Sequence, residues 1–319
     1  MKKTPVLIIA GPTASGKSSL AIAAAKAFGG VILNSDSMQV YRDIPVIAAT
    51  PSEDEKLQAE HRLYELYDCS KRGNVVDWLN LCVAEIKELW SSNRLPIVVG
   101  GTGMYIDALL NGVTPIPEVP ENTRNRLRQE LADSGLAVMY EKLLQADPEI
   151  GAKLNRNDKT RIMRALEIYD FTGVKVSEWY KIPLIKRIPE ADFLTVKIMP
   201  SLAEIEANCR QRLDDMVYKF GALAEIESLL QKNLDPSLPA MKALGVPELS
   251  RFVRGEISLE AALEEAKLHT RQYAKRQRTW LNNKLKADIV FTAAYKGQEE
   301  YLRQIRIGLQ QDNEKIMLV

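Results

Sequence analysis

Eight residues near the N-terminus form a complete phosphate-binding loop. The run Gly11-Pro12-Thr13-Ala14-Ser15-Gly16-Lys17-Ser18 has the spacing G-x-x-x-x-G-K-S and directly follows an apolar stretch at residues 6–10. A strand, a glycine-rich turn and a helix in this order aim backbone N–H groups and the positive end of the helix at one point. We therefore expect the loop to bind a di- or triphosphate, with Lys17 supplying a charge and Ser18 a hydroxyl ligand for Mg²⁺.

Residues 1–112 alternate between short apolar runs and helical patterns, which predicts a parallel β-sheet flanked by helices. A helix at 17–28 precedes a second strand at 31–34, and a further strand at 95–99 runs into Gly100-Gly101-Thr102-Gly103. Ligands of such sheets bind beyond the carboxyl ends of the strands. We therefore expect three loops to share one crevice, namely residues 11–18, 35–37 and 100–103.

Residues 115–190 differ because they contain helical patterns alone, framed by prolines at both ends. The interpretation is an all-helical domain at 115–190, inserted into an α/β core of residues 1–114 and 191–319. An ordinary set of helices packed on the sheet is the alternative. The remaining elements are predicted as helices at 121–134, 136–146, 148–154, 158–172, 202–231, 258–285 and 297–309, and strands at 192–199 and 287–291.

The composition excludes several classes of protein. Three widely spaced cysteines and two histidines among 319 residues provide neither a disulfide framework nor a zinc motif. No apolar run approaches the roughly 18 residues of a membrane span, and the short apolar run before the loop does not resemble a signal peptide. We expect a cytoplasmic enzyme without a membrane segment.

The position of the nearest acids argues against a nucleotide hydrolase. Such enzymes place an aspartate at the end of a second strand to hold Mg²⁺, but the strand at 95–99 ends in glycines. A carboxylate instead follows the second strand as Asp36, where it suggests a group-transfer enzyme whose acceptor it contacts. Asp36 as a turn residue, Thr102 as a helix cap and Arg212 as a solvated or ion-paired residue remain the alternatives.

A strongly basic stretch lies near the C-terminus. Between Ala266 and Ala287 there are seven basic residues and no acidic one. One helical face carries Lys267, Arg271, Lys275 and Arg278, with Tyr273 and Trp280 interleaved. A stripe of one sign with aromatic residues favours a nucleic-acid backbone, and a solvated helix face is the alternative.

Five motifs occur in the order of a known family. They are residues 11–18, Asp36-Ser37-Met38-Gln39-Val40-Tyr41, Val99-Gly100-Gly101-Thr102-Gly103-Met104-Tyr105, residues 157–167 (NDKTRIMRALE) and residues 270–280 (TRQYAKRQRTW). The chain resembles the tRNA dimethylallyltransferases, also called tRNA isopentenylpyrophosphate transferases, over nearly its whole length.

The resemblance implies a P-loop NTPase-like fold and transfer of a dimethylallyl group from dimethylallyl diphosphate to N6 of the adenosine 3′-adjacent to the tRNA anticodon. The phosphate loop would then hold the donor diphosphate, with Mg²⁺ at Ser18. Asp36, Thr102 and Arg212 would be catalytic, with Asp36 as general base. The tRNA anticodon stem-loop would contact Asp36, Ser37, Met38, Gln39, Thr102, Arg124, Lys159, Thr160, Arg161, Ile162, Met163, Arg271, Lys275, Arg276, Arg278 and Trp280. We expect the protein to act as a monomer.

One loop departs from the family pattern. Many relatives have Gly-Thr-Ala-Lys-Pro where this chain has Ile47-Ala48-Ala49-Thr50-Pro51, so a basic residue that would meet tRNA is missing here. The alternative functions are prenyl transfer to a free adenine nucleotide, a P-loop small-molecule kinase and a non-catalytic RNA-binding module.

Overall fold

The computed structural model describes residues 3–311 and has a six-stranded parallel sheet at its centre. The strands are β1 Thr4–Ala10, β2 Gly30–Asn34, β3 His61–Arg62, β4 Leu95–Gly100, β5 Ala191–Ile198 and β6 Ile289–Phe291. Their order across the sheet is β3-β2-β4-β1-β5-β6, and every neighbouring pair is parallel. The predicted parallel sheet is confirmed, and β1 lies near its middle with residues 6–10 fully buried.

The other regular elements of the fold are helices. They are α1 Lys17–Phe28, α2 Glu53–Gln58, α3 Val75–Ser91, α4 Gly103–Asn111, α5 Glu121–Ala146, α6 Pro148–Lys153, α7 Lys159–Thr172, α8 Val176–Trp179, α9 Leu202–Tyr218, α10 Ala222–Gln231, α11 Val246–Val253, α12 Leu259–Lys284 and α13 Glu299–Gln311, with a 3₁₀ turn at Ala240–Lys242. The chain divides into two compact units. One comprises the residues up to Leu110 and from Arg187 onward, and the other is Asn111–Lys186.

The unit at Asn111–Lys186 has its own hydrophobic core. Leu127, Met139, Leu143, Ile162 and Leu166 are buried together in it. Its longest helix, α5, is broken within its span, because Gly135 has the non-helical angles φ 81° and ψ 164°. The two helices predicted at 121–134 and 136–146 match the segments on either side of this glycine.

The helix predicted at 202–231 is wrong as a single element. Gly221 adopts φ 80°, a left-handed conformation that glycine tolerates and that turns the chain between α9 and α10. This turn matters for the site because the side chains of α9 and those of α10 contact different loops.

The three cysteines are free and buried. No helix in the described range 3–311 is long and apolar enough to cross a membrane.

Candidate active site

The phosphate loop between β1 and α1 is braced from behind by α9 and α12. The backbone N–H of Thr13 donates to Gln277 Oε1 at 2.8 Å, and Asn208 Nδ2 donates to the carbonyl of Ala14 at 3.1 Å. The Arg212 guanidinium donates to the hydroxyl of Thr13. Ala14 has φ 59°, which few residues other than glycine adopt, so these contacts hold the loop in a conformation that it would not favour alone.

The loop and the end of β4 approach each other closely at glycines. Gln277 Nε2 donates to the Gly101 carbonyl at 2.9 Å, and the Gly11 N–H donates to the Gly100 carbonyl at 3.3 Å. A Cβ atom on Gly101 would lie 2.4 Å from Gln277 Nε2 and 2.9 Å from the Gly11 carbonyl. Only glycine fits this position without displacing the brace.

Two half-buried cations, Lys17 and Arg212, lie at the loop. Burial lowers the pKa of Lys17 to about 8, an effect that the charge of Asp36 opposes and that of Arg212 reinforces. Burial also lowers the pKa of Arg212. Because desolvated cations are poorly stabilised in the free protein, a bound phosphate would compensate for their lost hydration.

Asp36 and Thr102 lie at the ends of neighbouring strands. Asp36 Oδ1 accepts a hydrogen bond from the Met38 N–H at 2.9 Å, and the Asp36 N–H donates to Asn34 Oδ1 at 2.7 Å. Thr102 Oγ1 accepts from the Ser37 N–H at 3.0 Å. Asp36 is therefore a turn residue, as in the alternative interpretation of the sequence. The same turn fixes its carboxylate beside the loop that follows β4.

Three tyrosines in the surroundings of Asp36 remain protonated at neutral pH. Burial raises the pKa of Tyr273 to about 12, and the charge of Asp36 adds to the shift while hydrogen bonds with Thr102 and Gln277 oppose it. Burial also raises the pKa of Tyr64, and the charge of Asp36 adds to this shift. The pKa of Tyr105 is raised mainly by burial, with a further contribution from Asp36. The carboxylate thus has phenol groups and cations in its surroundings.

A cavity of about 720 Å³ opens beside the phosphate loop. Its polar lining includes Lys17, Ser18 and Arg212, and its apolar lining includes Val46 and Phe220. The loop of residues 45–51, where the chain departs from the family pattern, forms one wall of this cavity. The departure therefore lies on the phosphate side of the site.

The residues present suit Mg²⁺ only as a partner of a bound phosphate. Ser18 is exposed in the lining of the cavity, and its hydroxyl oxygen is the hard donor that Mg²⁺ prefers. Within residues 3–311 there is no group of three or more histidine, cysteine, aspartate or glutamate side chains that could hold a metal ion. A magnesium ion here would take its other ligands from the phosphate and from water, as is common for this ion.

The basic stripe on α12 is partly neutralised by other helices. Lys267 Nζ lies 2.9 Å from Asp214 of α9 and 3.2 Å from Glu264 of α12, and Arg271 Nε lies 3.0 Å from Glu206 of α9. Arg278 donates to the carbonyls of Met199 and Pro200. Lys275, by contrast, forms no ion pair with any described residue.

The cations without acidic partners border an open groove on α12. Lys275, Arg276, Lys284 and Trp280 line a cavity of about 560 Å³, whose lining contains no acidic residue. A Cβ atom on Gly103 would lie 2.4 to 2.7 Å from the Trp280 ring. The glycine therefore lets the indole lie directly against the backbone that follows Thr102.

The helical unit presents some of its predicted contact residues and buries others. Lys159, Thr160 and Arg161 are exposed at the start of α7. Ile162 and Met163 are buried in the core of the unit, so their side chains are not presented at its surface. Arg124 is half-buried, with an ion pair of 3.6 Å to Glu121.

Sequence reasoning missed two residues that shape the site, namely Asn208 and Gln277, and it noted Tyr273 only as an aromatic residue of the basic stripe. Gln277 belongs to the motif at 270–280, but a charge pattern gives no weight to a neutral amide. Gln39, predicted as a tRNA contact, donates its side-chain N–H groups to the carbonyls of Ala48 and Ala49, at 3.2 and 2.6 Å.

Comparisons with known proteins identify the family of the chain. A family model of IPP transferases matches residues 39–284. The tRNA dimethylallyltransferases of Granulibacter bethesdensis and Rhodospirillum rubrum are 41% and 42% identical to this chain, covering 89% and 90% of it and 88% of each relative. The tRNA isopentenylpyrophosphate transferase of Bacillus halodurans has a TM-score of 0.69 at 27% identity, over 98% of this chain and 97% of that one. A eukaryotic dimethylallyltransferase captured acting on tRNA has a TM-score of 0.81 at 30% identity, over 99% of this chain and 81% of that one. This chain therefore belongs to the tRNA dimethylallyltransferase family.

Proposed function

We propose that this chain transfers a dimethylallyl group from dimethylallyl diphosphate to N6 of the adenosine 3′-adjacent to the anticodon in tRNA, and releases diphosphate. The observation that carries the proposal is that β2, β4 and β1 are neighbours in the sheet, in that order. It brings Asp36, Thr102 and the phosphate loop together at the carboxyl ends of adjacent strands. An acceptor site and a diphosphate site can thus lie side by side.

Asp36 is the proposed general base. The exocyclic amine of adenine is a weak nucleophile because its lone pair is delocalised into the ring. A carboxylate that accepts a hydrogen bond from this amine increases its electron density, and it takes the proton as the N–C bond forms. General-base catalysis of this kind typically contributes about 10²- to 10⁴-fold.

The phosphate loop is the proposed clamp for the leaving group. When the bond between the allylic carbon and the diphosphate oxygen breaks, its electron pair remains on the diphosphate. Lys17, Arg212 and the backbone N–H groups of the loop would stabilise that charge. A magnesium ion bound at Ser18 would supply further positive charge to the same oxygens.

The groove on α12 is the proposed contact for the RNA loop. Lys275, Arg276 and Lys284 offer charge to phosphates, and an indole ring suits the stacking of an unpaired base. The exposed side chains of Lys159 and Arg161 are proposed as further phosphate contacts in the helical unit. We also propose a monomer; light scattering should give 35.8 kDa, and twice that mass would contradict it.

A labelling experiment tests the proposed reaction. The protein and Mg²⁺ are incubated with dimethylallyl diphosphate carrying a label in its prenyl group, together with tRNA, with tRNA bearing guanosine at the target position, or with AMP. We expect label only in the unsubstituted tRNA. Label in AMP would indicate the free-nucleotide enzyme, and phosphate transfer from labelled ATP in a parallel reaction would indicate a kinase.

A further inference from the structure

A carboxylate outside the predicted site holds one wall of the diphosphate cavity. Glu225 lies on α10, and its two oxygens accept hydrogen bonds from consecutive backbone N–H groups. Oε2 accepts from Val46 at 2.7 Å, and Oε1 accepts from Ile47 at 2.9 Å. Hydrogen bonds to a charged acceptor are stronger than neutral ones, so this is a firm attachment between α10 and the loop of residues 45–51, which we call the cavity loop.

The cavity loop needs such an attachment because its backbone is strained. Ala49 has φ 55°, a left-handed conformation that side chains other than glycine rarely adopt. Backbone of this kind persists only where its surroundings hold it. Gln39 holds the carbonyls of Ala48 and Ala49 from one side, and Glu225 holds the N–H groups from the other.

The attachment is also linked to the phosphate loop through the polypeptide itself. Arg212 on α9 donates to Thr13, and the turn at Gly221 leads from α9 into α10, which carries Glu225. The cavity loop and the phosphate loop thus face one cavity and are tied to the same helical pair. The buried hydroxyl of Thr50, in the cavity loop, has no hydrogen-bond partner among the described residues.

We propose that Glu225 is a positioning residue for the donor. By fixing the Val46 and Ile47 amides, it sets the wall against which dimethylallyl diphosphate binds, and it does not touch the acceptor. The inference rests on the proposed function of the cavity as the donor site. Burial raises the pKa of Glu225, and its hydrogen bonds with the Ile47 and Val46 amides oppose that shift.

The direct test compares Glu225→Gln with Glu227→Gln, an exposed position on the same helix. A glutamine offers one acceptor oxygen and turns an NH₂ group toward the second N–H donor, so one of the two hydrogen bonds is lost. We expect the KM for dimethylallyl diphosphate to rise about 10-fold, as a misplaced wall would predict. The KM for tRNA and kcat should stay within about twofold, and the control should resemble the wild type.

Amide hydrogen exchange supplies a second measurement. The Val46 and Ile47 amides should exchange faster in Glu225→Gln than in the wild type, and their rates should be unchanged in Glu227→Gln. If Glu225→Gln does not fold, Glu225→Asp retains the charge at a shorter reach and should show both effects in part. Unchanged exchange and an unchanged donor KM would overturn the inference.

Direct binding of dimethylallyl diphosphate, followed by calorimetry, separates this inference from the proposed function. Binding to the wild type with equal affinity in Glu225→Gln would overturn the inference alone. A wild type that does not bind the donor would overturn both.

Discussion

The side-chain oxygen of Gln277 accepts a 2.8 Å hydrogen bond from the backbone N–H of Thr13. The same amide donates to Gly101, so one buried side chain ties the phosphate loop to the end of β4. In Gln277→Met both backbone groups lose their partner, at a cost of about 1–3 kcal/mol each. We expect a lower thermal unfolding midpoint and a donor KM raised about 10-fold, measured by calorimetry and steady-state kinetics.

The matched control for this change is Gln231→Met at the exposed end of α10. It removes the same amide at a position where the amide holds no loop. The thermal unfolding midpoint and the donor KM should therefore match those of the wild type. A Gln277→Met enzyme with unaltered donor KM would show that the phosphate loop holds its shape without α12.

Gly101 is predicted to tolerate no side chain. In Gly101→Ala the new Cβ atom would lie 2.9 Å from the Gly11 carbonyl and 2.4 Å from Gln277 Nε2, and only the second contact can move easily. Overpacking of this kind costs about 1–3 kcal/mol. The variant should unfold at lower temperature and bind the donor more weakly. Gly73→Ala, whose Cβ atom would meet nothing closer than 3.4 Å, should do neither; equal effects in the two variants would contradict the steric argument.

Asp36→Asn separates the charge of this residue from its role in the turn. The asparagine oxygen can still accept the Met38 N–H, so the fold and tRNA binding should persist. Loss of the base should lower kcat by about 10²- to 10⁴-fold, measured by single-turnover transfer with saturating tRNA. Asp133→Asn on the exposed surface of α5 is the control. Turnover within about threefold of wild type in Asp36→Asn would remove it from the role of general base.

The lowered pKa of Lys17, about 8, predicts a pH dependence of donor binding. Below this pH the ammonium is charged and attracts diphosphate, and as the pH rises through 8 the amine loses its proton. The value of kcat/KM for the donor, which reports on the free enzyme, should therefore fall above about pH 8. Lys17→Arg keeps its charge in this range and should lack the decline. A wild-type profile that is flat from about pH 7 to 9 would contradict the assignment.

The sheet could be predicted from the sequence because its central strands are buried on both faces. Residues 6–10 and 95–99 are runs of apolar residues that end in glycine-rich loops, a pattern typical of buried strands in a parallel sheet. β3 could not be predicted: it has two residues, His61 and Arg62, and pairs only with β2 at the edge of the sheet. A strand this short leaves no periodicity to detect.

The site could be predicted as far as its motifs and no further. The phosphate loop, Asp36 and Thr102 each follow a strand, so their meeting follows from parallel topology. Gln277 reaches Thr13 across 264 positions, and Arg212 finds a partner in the loop and not in the neighbouring acids. Such pairings depend on how α9 and α12 pack, which local sequence patterns do not specify.

The acids that α9 places beside α12 divide the basic residues of α12 into two classes of cation. Lys267 and Arg271 already have carboxylate partners, whereas Lys275 and Arg276 line the groove beside Trp280. Binding of RNA by the second class releases counterions, with a salt dependence of about 0.7 per phosphate on a single strand. The double variant Lys275→Ala/Arg276→Ala should weaken tRNA binding and reduce the slope of log K against log salt by about 1.4.

The matched comparison is Lys267→Ala/Arg271→Ala, which removes the same charge from the same helix. Because those cations already pair with Asp214 and Glu206, their loss should change the slope by less than half as much, measured by filter binding over a series of salt concentrations. Equal slopes in the two double variants would mean that RNA displaces the acids of α9 and uses the whole stripe. An unchanged slope in Lys275→Ala/Arg276→Ala would remove the groove from the RNA interface.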